Sequence, residues 1–508
     1  MSAVYARLRV TDPGRWRALA VAWRRWAALA DRLAAEFAPH LAGLGAAWSG
    51  TAATAAAGRL TVLRRRLVRF RLLCWRADQL ASEFAAALER ARALLRRALG
   101  AGLAIDDGGV PRGVVRPPGA IADLSAALAV AERADDVTAA GLDQLLARIH
   151  DTAERPAPES PGCDASPAEV RRWWSGLDPG EREWLLTVEP QWIGALDGVP
   201  AADRDMANRL VLADRRAELD RLIAASGGRE RARLRGLRDG LDALGDRLAT
   251  GDGPRAYLMR LDLRDEGRVV VAVGDPDRAA TVLTHVPGMT AGLATFGGEL
   301  SRAERVGERA TEIAPAAATS AVLWLDYDAP DFLDEAATAR RAEAGAPALR
   351  RFQEGLRATH DDPTGRQTVL GHSYGSLLVG KAAATPGLAA DDVVFVGSPG
   401  VGVESVRDLA IPAAHVWSST ARGDVIQHLA ETPGALARDL AFSAAIPGAG
   451  AAFAFGRPAD DLWFGHNPSD PAFGARVFAS QAGGGHSGYW DRGRPALDAL
   501  AAITLGAA

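Results

Sequence analysis

Apolar and polar positions change their period along the chain. From Pro13 onward apolar side chains recur every three, four or seven positions, the spacing of one helix face. Thr11-Asp12-Pro13 supplies an N-cap and a proline at the first helical position. Trp16, Leu19, Trp23, Trp26, Leu33 and Phe37 then align into one apolar stripe. Gly43, Gly45 and Trp48-Ser49-Gly50 break the pattern. A second helix is predicted from about Thr51 to Leu99, with Leu60, Leu63, Leu67, Phe70, Leu73, Phe84 and Leu88 as core candidates. Residues 1–100 therefore read as an all-α helical hairpin. Between 101 and 164 the stretches GVPRGVVRPPG and ERPAPESPGCDASP bracket a single expected helix, and the segment reads as linker.

A helical lead-in is expected over 165–250, and after it the pattern shortens. RAYLMRLDL (255–263), RVVVAVG (268–274) and ATVLTHV (280–286) are β-rich runs bounded by Asp and Gly. SAVLWLDY (320–327), QTVLGHS (367–373), DVVFVGS (392–398) and AHVWSST (414–420) follow, separated mostly by helix-length segments. Strands that alternate with helices predict an α/β domain over 165–508, a mainly parallel sheet with helices on both faces. Chemistry in such a sheet is expected at the carboxyl ends of the strands.

Composition narrows the function classes. The 508 residues are too many for one ordinary core, so two or more domains are expected. A formal net charge of −4 argues against a nucleic-acid-binding protein, which needs a basic surplus to neutralise phosphates. Of the 59 Lys and Arg residues only Lys381 is a lysine. Arg59, Arg64, Arg65, Arg66, Arg69, Arg71 and Arg76 make the second helix basic. With arginine almost the only cation in use, a solvated face is preferred over a membrane, nucleic-acid or acidic-partner contact. Cys74 and Cys163 lie far apart without a Cys/His cluster, which gives no basis for a zinc site or a disulfide framework. No apolar run approaches a membrane span, and the N-terminus lacks the apolar core of a secretory signal.

Candidate chemistry centres on QTVLGHSYGSLLVG, residues 367–380. An apolar β-rich run enters a G-x-S-x-G motif and a small-residue helix leaves it, the context of a nucleophile elbow. Gly371 and Gly375 permit the tight turn, Ser373 is the candidate nucleophile, and Tyr374 N–H is a candidate oxyanion donor. An overlapping G-x-x-x-x-G-K run, Gly375–Lys381, imitates a phosphate-binding loop, but Ala382 stands where a magnesium-binding hydroxyl belongs. In a hydrolase built on such an elbow the acid and then the histidine follow the serine, each after a later strand. Asp424, in ARGDVIQ, is the candidate acid, with Asp326 and then Asp470 as rivals. His486, in FASQAGGGHSGYW after the strand candidate ARVFAS (475–480), is the candidate base. His466 precedes that strand, His428 is too near Asp424 in sequence, and His372 points away from an elbow serine. Gly288 and Met289, after the strand ATVLTHV, are candidates for the second oxyanion donor.

Six motifs occur in order across roughly residues 165–505: PQWIGALDGVPAADRDMANR, THVPGM, GHSYGS, ARGDVI, FGHNPSDPAFGARVF and GHSGYW. Together they resemble a bacterial α/β-hydrolase family first described as a domain of unknown function. The resemblance implies an α/β-hydrolase fold with Ser373, Asp424 and His486 as triad, and it brings no defined substrate. Val425 departs from the proline that often follows the acid in related hydrolases. Arg204, Asp205 and Asn208, in the first motif, are expected to stitch helices together rather than brace the site. The helix–Trp48-Ser49-Gly50–helix layout resembles the WXG-type hairpins associated with type VII secretion, although no Tyr-x-x-x-Asp/Glu export signal follows.

The expectation is a serine hydrolase that cleaves a small-molecule or lipid-like ester, less readily an amide, with no metal or cofactor. The hairpin is a candidate surface for a protein partner. The alternative from another class is a non-catalytic interaction protein that uses the hairpin and keeps the hydrolase domain as scaffold; a nucleotide-binding protein is a third. The cytoplasm is the default location, with export to the envelope or beyond by a type VII-like route as the alternative. The Ala-, Gly- and Phe-rich segment 426–468 is a candidate border for an apolar acyl pocket or lid, or an ordinary packed helix and loop.

Overall fold

The computed structural model describes residues 2–113, 117–150, 158–251, 253–424, 426, 460–481 and 484–508. Four helices open the chain: α1 (Ser2–Val10), α2 (Pro13–Ala47), α3 (Thr51–Gly100) and α4 (Pro118–His150). Helices α2 and α3 pack side by side around the turn at Trp48-Ser49-Gly50, where Gly50 takes φ +104°, a conformation that favours glycine. The seam of α2 is made of alanines: Ala20, Ala27, Ala30 and Ala34 are buried. Of the larger stripe, Leu19, Trp26 and Leu33 are exposed, and Trp16, Trp23 and Phe37 are half-buried. Alanine lets the helices approach closely, which turns the bulky residues one position away to the outside. In α3 the C-terminal half carries the core, with Phe84, Leu88 and Leu94 packed on Tyr5, Leu8 and Leu124. Leu63 and Phe70, expected in that core, are exposed. The segment 101–164 contains α4, which runs for 33 residues against α3.

Helices α5 (Pro167–Gly176), α6 (Pro179–Val188), α7 (Pro190–Ala195), α8 (Ala201–Ala225) and α9 (Gly228–Ala249) form the lead-in. Ser166 and Asp178 cap α5 and α6 with complete capping boxes and a following proline. The main sheet has eight strands: β1 (Ala256–Asp262), β2 (Arg268–Val273), β3 (Thr281–Val286), β4 (Thr319–Leu325), β5 (Arg366–His372), β6 (Asp392–Val396), β7 (Val416–Ser419) and β8 (Arg476–Val477). Their order is β8-β7-β6-β5-β3-β4-β2-β1. Strands β3 to β8 are parallel, whereas β2 is antiparallel to both β1 and β4. The seven runs read as strands all form strands, and the eighth, 475–480, shrinks to two residues.

Alternate residues of the central strands enter two different cores. Val282, Val369 and Val393 join the cluster that contains residues of α12 (Arg340–Thr359) and α13 (Tyr374–Ala383), with Ala336 of the short α11 (Leu333–Ala336) packed against it. Leu283, Leu370 and Val394 join Val306 of α10 (Phe296–Ile313) and Leu497, Leu500 and Ile503 of α14 (Pro495–Leu505). Burial on both faces explains why these strands read as continuous apolar runs. The fold is a mainly parallel α/β sheet with helices on both faces, preceded by a helical region that carries one two-residue β pair, Ala104–Ile105 with Pro111–Arg112.

Asp205 and Asn208 stitch α8 to the edge strand β1. Asp205 accepts hydrogen bonds from Leu258 N (2.8 Å), Arg209 Nε (2.8 Å) and Arg255 Nη2 (2.7 Å). Asn208 Nδ2 donates to the carbonyls of Gly194 and Leu258, both at 3.0 Å. Arg204 pairs with Asp197 at 2.8 Å. Arg255 also pairs with Asp78 of α3, which accepts from Arg24 Nε of α2 at 2.8 Å. A buried chain of alternating charge thus ties the N-terminal helices to the sheet.

Candidate active site

The turn between β5 and α13 forces Ser373 into φ 53°, ψ −130°, a backbone conformation that costs a non-glycine residue about 1–3 kcal/mol. Space dictates the flanking glycines. A Cβ on Gly371 would lie 2.6 Å from Ser376 Cα, and one on Gly375 only 2.3 Å from the Val286 carbonyl oxygen. Ser373 N donates to Val396 O of β6 at 3.1 Å, and Ser376 Oγ donates to Ser373 O at 2.6 Å. These bonds fix a half-buried Ser373 at the carboxyl edge of the sheet. The Gly375–Lys381 run lies inside α13 and Lys381 pairs with Glu343 at 3.2 Å, so no phosphate-binding loop forms.

Asp424 follows β7 and is fully buried. His486 sits on a 3-10 turn, Gly485–Trp490, that follows β8. Its Nδ1 lies 2.9 and 3.0 Å from the two Asp424 oxygens. Because the carboxylate accepts, Nδ1 carries the proton and Nε2 is left as the acceptor. Asp424 Oδ1 also accepts from Ile426 N (3.0 Å), and Oδ2 from the Tyr489 hydroxyl (2.6 Å). Burial and the adjacent carboxylate raise the Tyr489 pKa far above the ordinary tyrosine value, so the hydroxyl remains a donor. That hydroxyl accepts in turn from Ala421 N at 2.9 Å.

Two further residues meet this pair. Gly397 follows β6 at φ +56°; a Cβ there would fall 2.8 Å from Asp424 Oδ2 and 3.2 Å from His486 Nδ1. His372, immediately before Ser373, donates from Nε2 to His486 O at 2.9 Å, and the two rings are 4.7 Å apart. Burial, with the neighbouring His486 second, holds the His372 pKa well below the usual histidine value. His372 is therefore neutral, with its proton on Nε2.

On the other side of Ser373 lies the 286–290 loop. A Cβ on Gly288 would lie 2.7 Å from Ser373 Cβ and 3.0 Å from Tyr374 N. The Tyr327 hydroxyl donates to Pro287 O at 2.7 Å. In a trans peptide this turns Gly288 N–H away from Tyr327. Among the described residues, the N–H groups of Gly288, Met289 and Tyr374 donate no hydrogen bond. Met289 is half-buried and precedes Thr290, which takes φ 64°.

The rival acids and bases go elsewhere. Asp326 faces Arg260 at 3.3 Å. His466 lies between Asp461 (3.0 Å) and Asp470 (3.5 Å); burial lowers its pKa, but the two carboxylates together outweigh burial and raise it. His428 and Val425 lie outside the described residues, as does most of 426–468. Of that segment Phe464 meets the Tyr374 ring edge-on, centroids 6.0 Å apart. Tyr489, Gly397, Tyr327 and the His372 contact escaped the sequence reading. Tyr489 stands three residues after His486 in GHSGYW, and Gly397 closes the run DVVFVG, so both signals were present. No group of metal-ligating side chains occurs among the described residues.

A family described as alpha/beta hydrolase matches residues 262–433, which span β2 to β7 together with Ser373 and Asp424. The uncharacterized protein Rv2079 of Mycobacterium tuberculosis (strain H37Rv) is 30% identical over 427 residues, 74% of this chain and 61% of that protein. The uncharacterized protein Rv0963c of the same strain is 32% identical over 202 residues, 38% of this chain and 74% of that protein. The chain thus spans somewhat under two thirds of the longer relative.

Proposed function

The chain belongs to the α/β-hydrolase family, and from that premise we propose that it is a serine hydrolase acting on an ester. The observation that carries the reading is a serine in a strained strand–helix turn at the carboxyl edge of the sheet, next to a histidine, His372, that bonds the backbone of a half-buried His486 paired with the buried Asp424. Ser373 Oγ attacks the ester carbonyl and His486 Nε2 takes its proton. Asp424, held by Tyr489, keeps the imidazole in the Nδ1–H tautomer and stabilises the imidazolium. The tetrahedral oxyanion is met by Tyr374 N–H and by Gly288 or Met289 N–H. Collapse expels the alcohol, which receives the proton from His486, and water releases the acyl group by the same steps in reverse. Esters are preferred over amides by analogy with the fold, since an alcohol leaves more readily than an amine.

The test is fluorophosphonate labelling of the purified protein beside Ser373→Ala and His486→Ala, with hydrolysis of short p-nitrophenyl esters in parallel. Labelling and turnover that both substitutions abolish are the expected result. A wild type that neither labels nor hydrolyses these esters would favour the non-catalytic scaffold.

A further inference from the structure

Helix α2 keeps alanines in its seam and several of its large side chains outside. Its buried seam is alanine, whereas Trp26, Leu29 and Leu33 are 53%, 36% and 38% exposed. Helix α3 does the same beyond the end of α4. The last turn of α4 is tied down by Arg69 Nη2, which donates to Arg148 O at 2.6 Å. On the far side of that contact, Val62 and Leu63 are 45% and 39% exposed, and Phe70 beside it 39%. Leu63 and Phe70, seven residues apart, share one helix face with Arg59 and Arg66.

The polar residues of α2 and of the first half of α3 are mostly basic. Residues 13–76 contain twelve arginines against two acids, Asp31 and Glu36, in a chain of net charge −4. Asp31 is already engaged by Arg71 at 2.8 Å. Arg25, Arg32, Arg59, Arg65 and Arg66 are exposed and form no ion pair among the described residues. A solvated basic face accounts for the arginines but not for a tryptophan and several leucines beside them.

Unpaired guanidinium groups along an apolar stripe match a surface that is anionic at its rim and hydrocarbon beneath. Arginines sit at the phosphate level, tryptophan at the boundary and leucines in the acyl layer. Among the described residues no helix is long and apolar enough to cross a membrane, so such contact lies in the plane of the surface. We propose that the outward face of the α2–α3 pair docks on an anionic lipid surface. The proposal is independent of the hydrolase reading, because it uses no residue of that site.

Full-length protein is floated with vesicles of phosphatidylcholine alone or containing about 30 mol% phosphatidylglycerol, at about 0.05 and 0.5 M salt. The expected result is binding about tenfold tighter to the anionic vesicles, weakened by salt. Combined Trp26→Ser, Leu29→Ser and Leu33→Ser lowers it about tenfold with an unchanged circular dichroism spectrum. Combined Arg59→Gln, Arg65→Gln and Arg66→Gln removes the preference for the anionic lipid. Equal binding to both vesicles, or no effect of either variant, overturns the proposal. So does a concentration-dependent dimer in light scattering that the serine variant dissolves, because a second copy then covers the face.

Discussion

Replacing Tyr489 by Phe removes one hydroxyl and leaves the ring in its core position. The hydroxyl donates to Asp424 Oδ2 at 2.6 Å and accepts from Ala421 N at 2.9 Å, in a site where Asp424 is fully buried. A hydrogen bond to a charged acceptor contributes about 1.5–3 kcal/mol. If that interaction acts by aiming the carboxylate at His486, its loss is felt in the transition state, where the imidazolium forms. At about 1.4 kcal/mol per tenfold, kcat falls about 10- to 150-fold. KM changes little, because Tyr489 is buried behind Asp424. The assay is p-nitrophenyl ester turnover together with the pseudo-first-order rate of fluorophosphonate labelling, and both rates should fall by the same factor. Unchanged rates with a lowered denaturant midpoint would refute the reasoning, since Tyr489 would then be a strut of the 485–490 turn and not a positioning residue.

Gly397→Ala drives a Cβ into Asp424 Oδ2 and His486 at a positive φ, so esterase turnover should fall at least about 100-fold with a stability loss of about 1–2 kcal/mol, read by activity and urea melting. Asp78→Asn removes the buried carboxylate that Arg24 and Arg255 share and leaves Arg255 with Asp205 alone; loss of such a partner costs about 3–5 kcal/mol. The expected result is protease cleavage in α2 or α3 at urea concentrations that leave the wild type intact. For Glu299, burial pushes the pKa up but is outweighed by His285 Nε2–H at 3.1 Å and by Arg302, which hold it at about 2, below the ordinary 4.5. A carboxylate with a depressed folded pKa stabilises the protein above about pH 4.5 and loses that contribution as the pH falls towards 2. The shift corresponds to about 3 kcal/mol. Glu299→Gln should therefore show a stability deficit at pH 6 that narrows between pH 4.5 and 3; a deficit independent of pH would show that the charge contributes nothing.

What could be read from the sequence follows from how far apart the interacting residues lie along the chain. The turn at Ser373 is a local object: a strand, two glycines that space demands and a helix occupy fourteen consecutive residues, so its geometry was legible. The strands were legible too, because burial on both faces writes itself as short runs rich in Val and Leu. The Asp424–His486 contact spans 62 residues, and only the order of motifs connected its members. Tyr489 and Gly397 act through that contact, so GHSGYW and DVVFVG displayed the residues but not what they touch. In α2 the periodicity identified the helix but not its inner face. Ala27 and Trp26 are adjacent and about 100° apart, and a pattern that weights large apolar residues selects the tryptophan side. The packing selects the alanine side, because close approach of α3 rewards the smaller residue. The apolar surplus that remains outside is thus a consequence of how the hairpin packs, and it is this surplus, edged by arginines, that asks for a partner the folded chain does not supply.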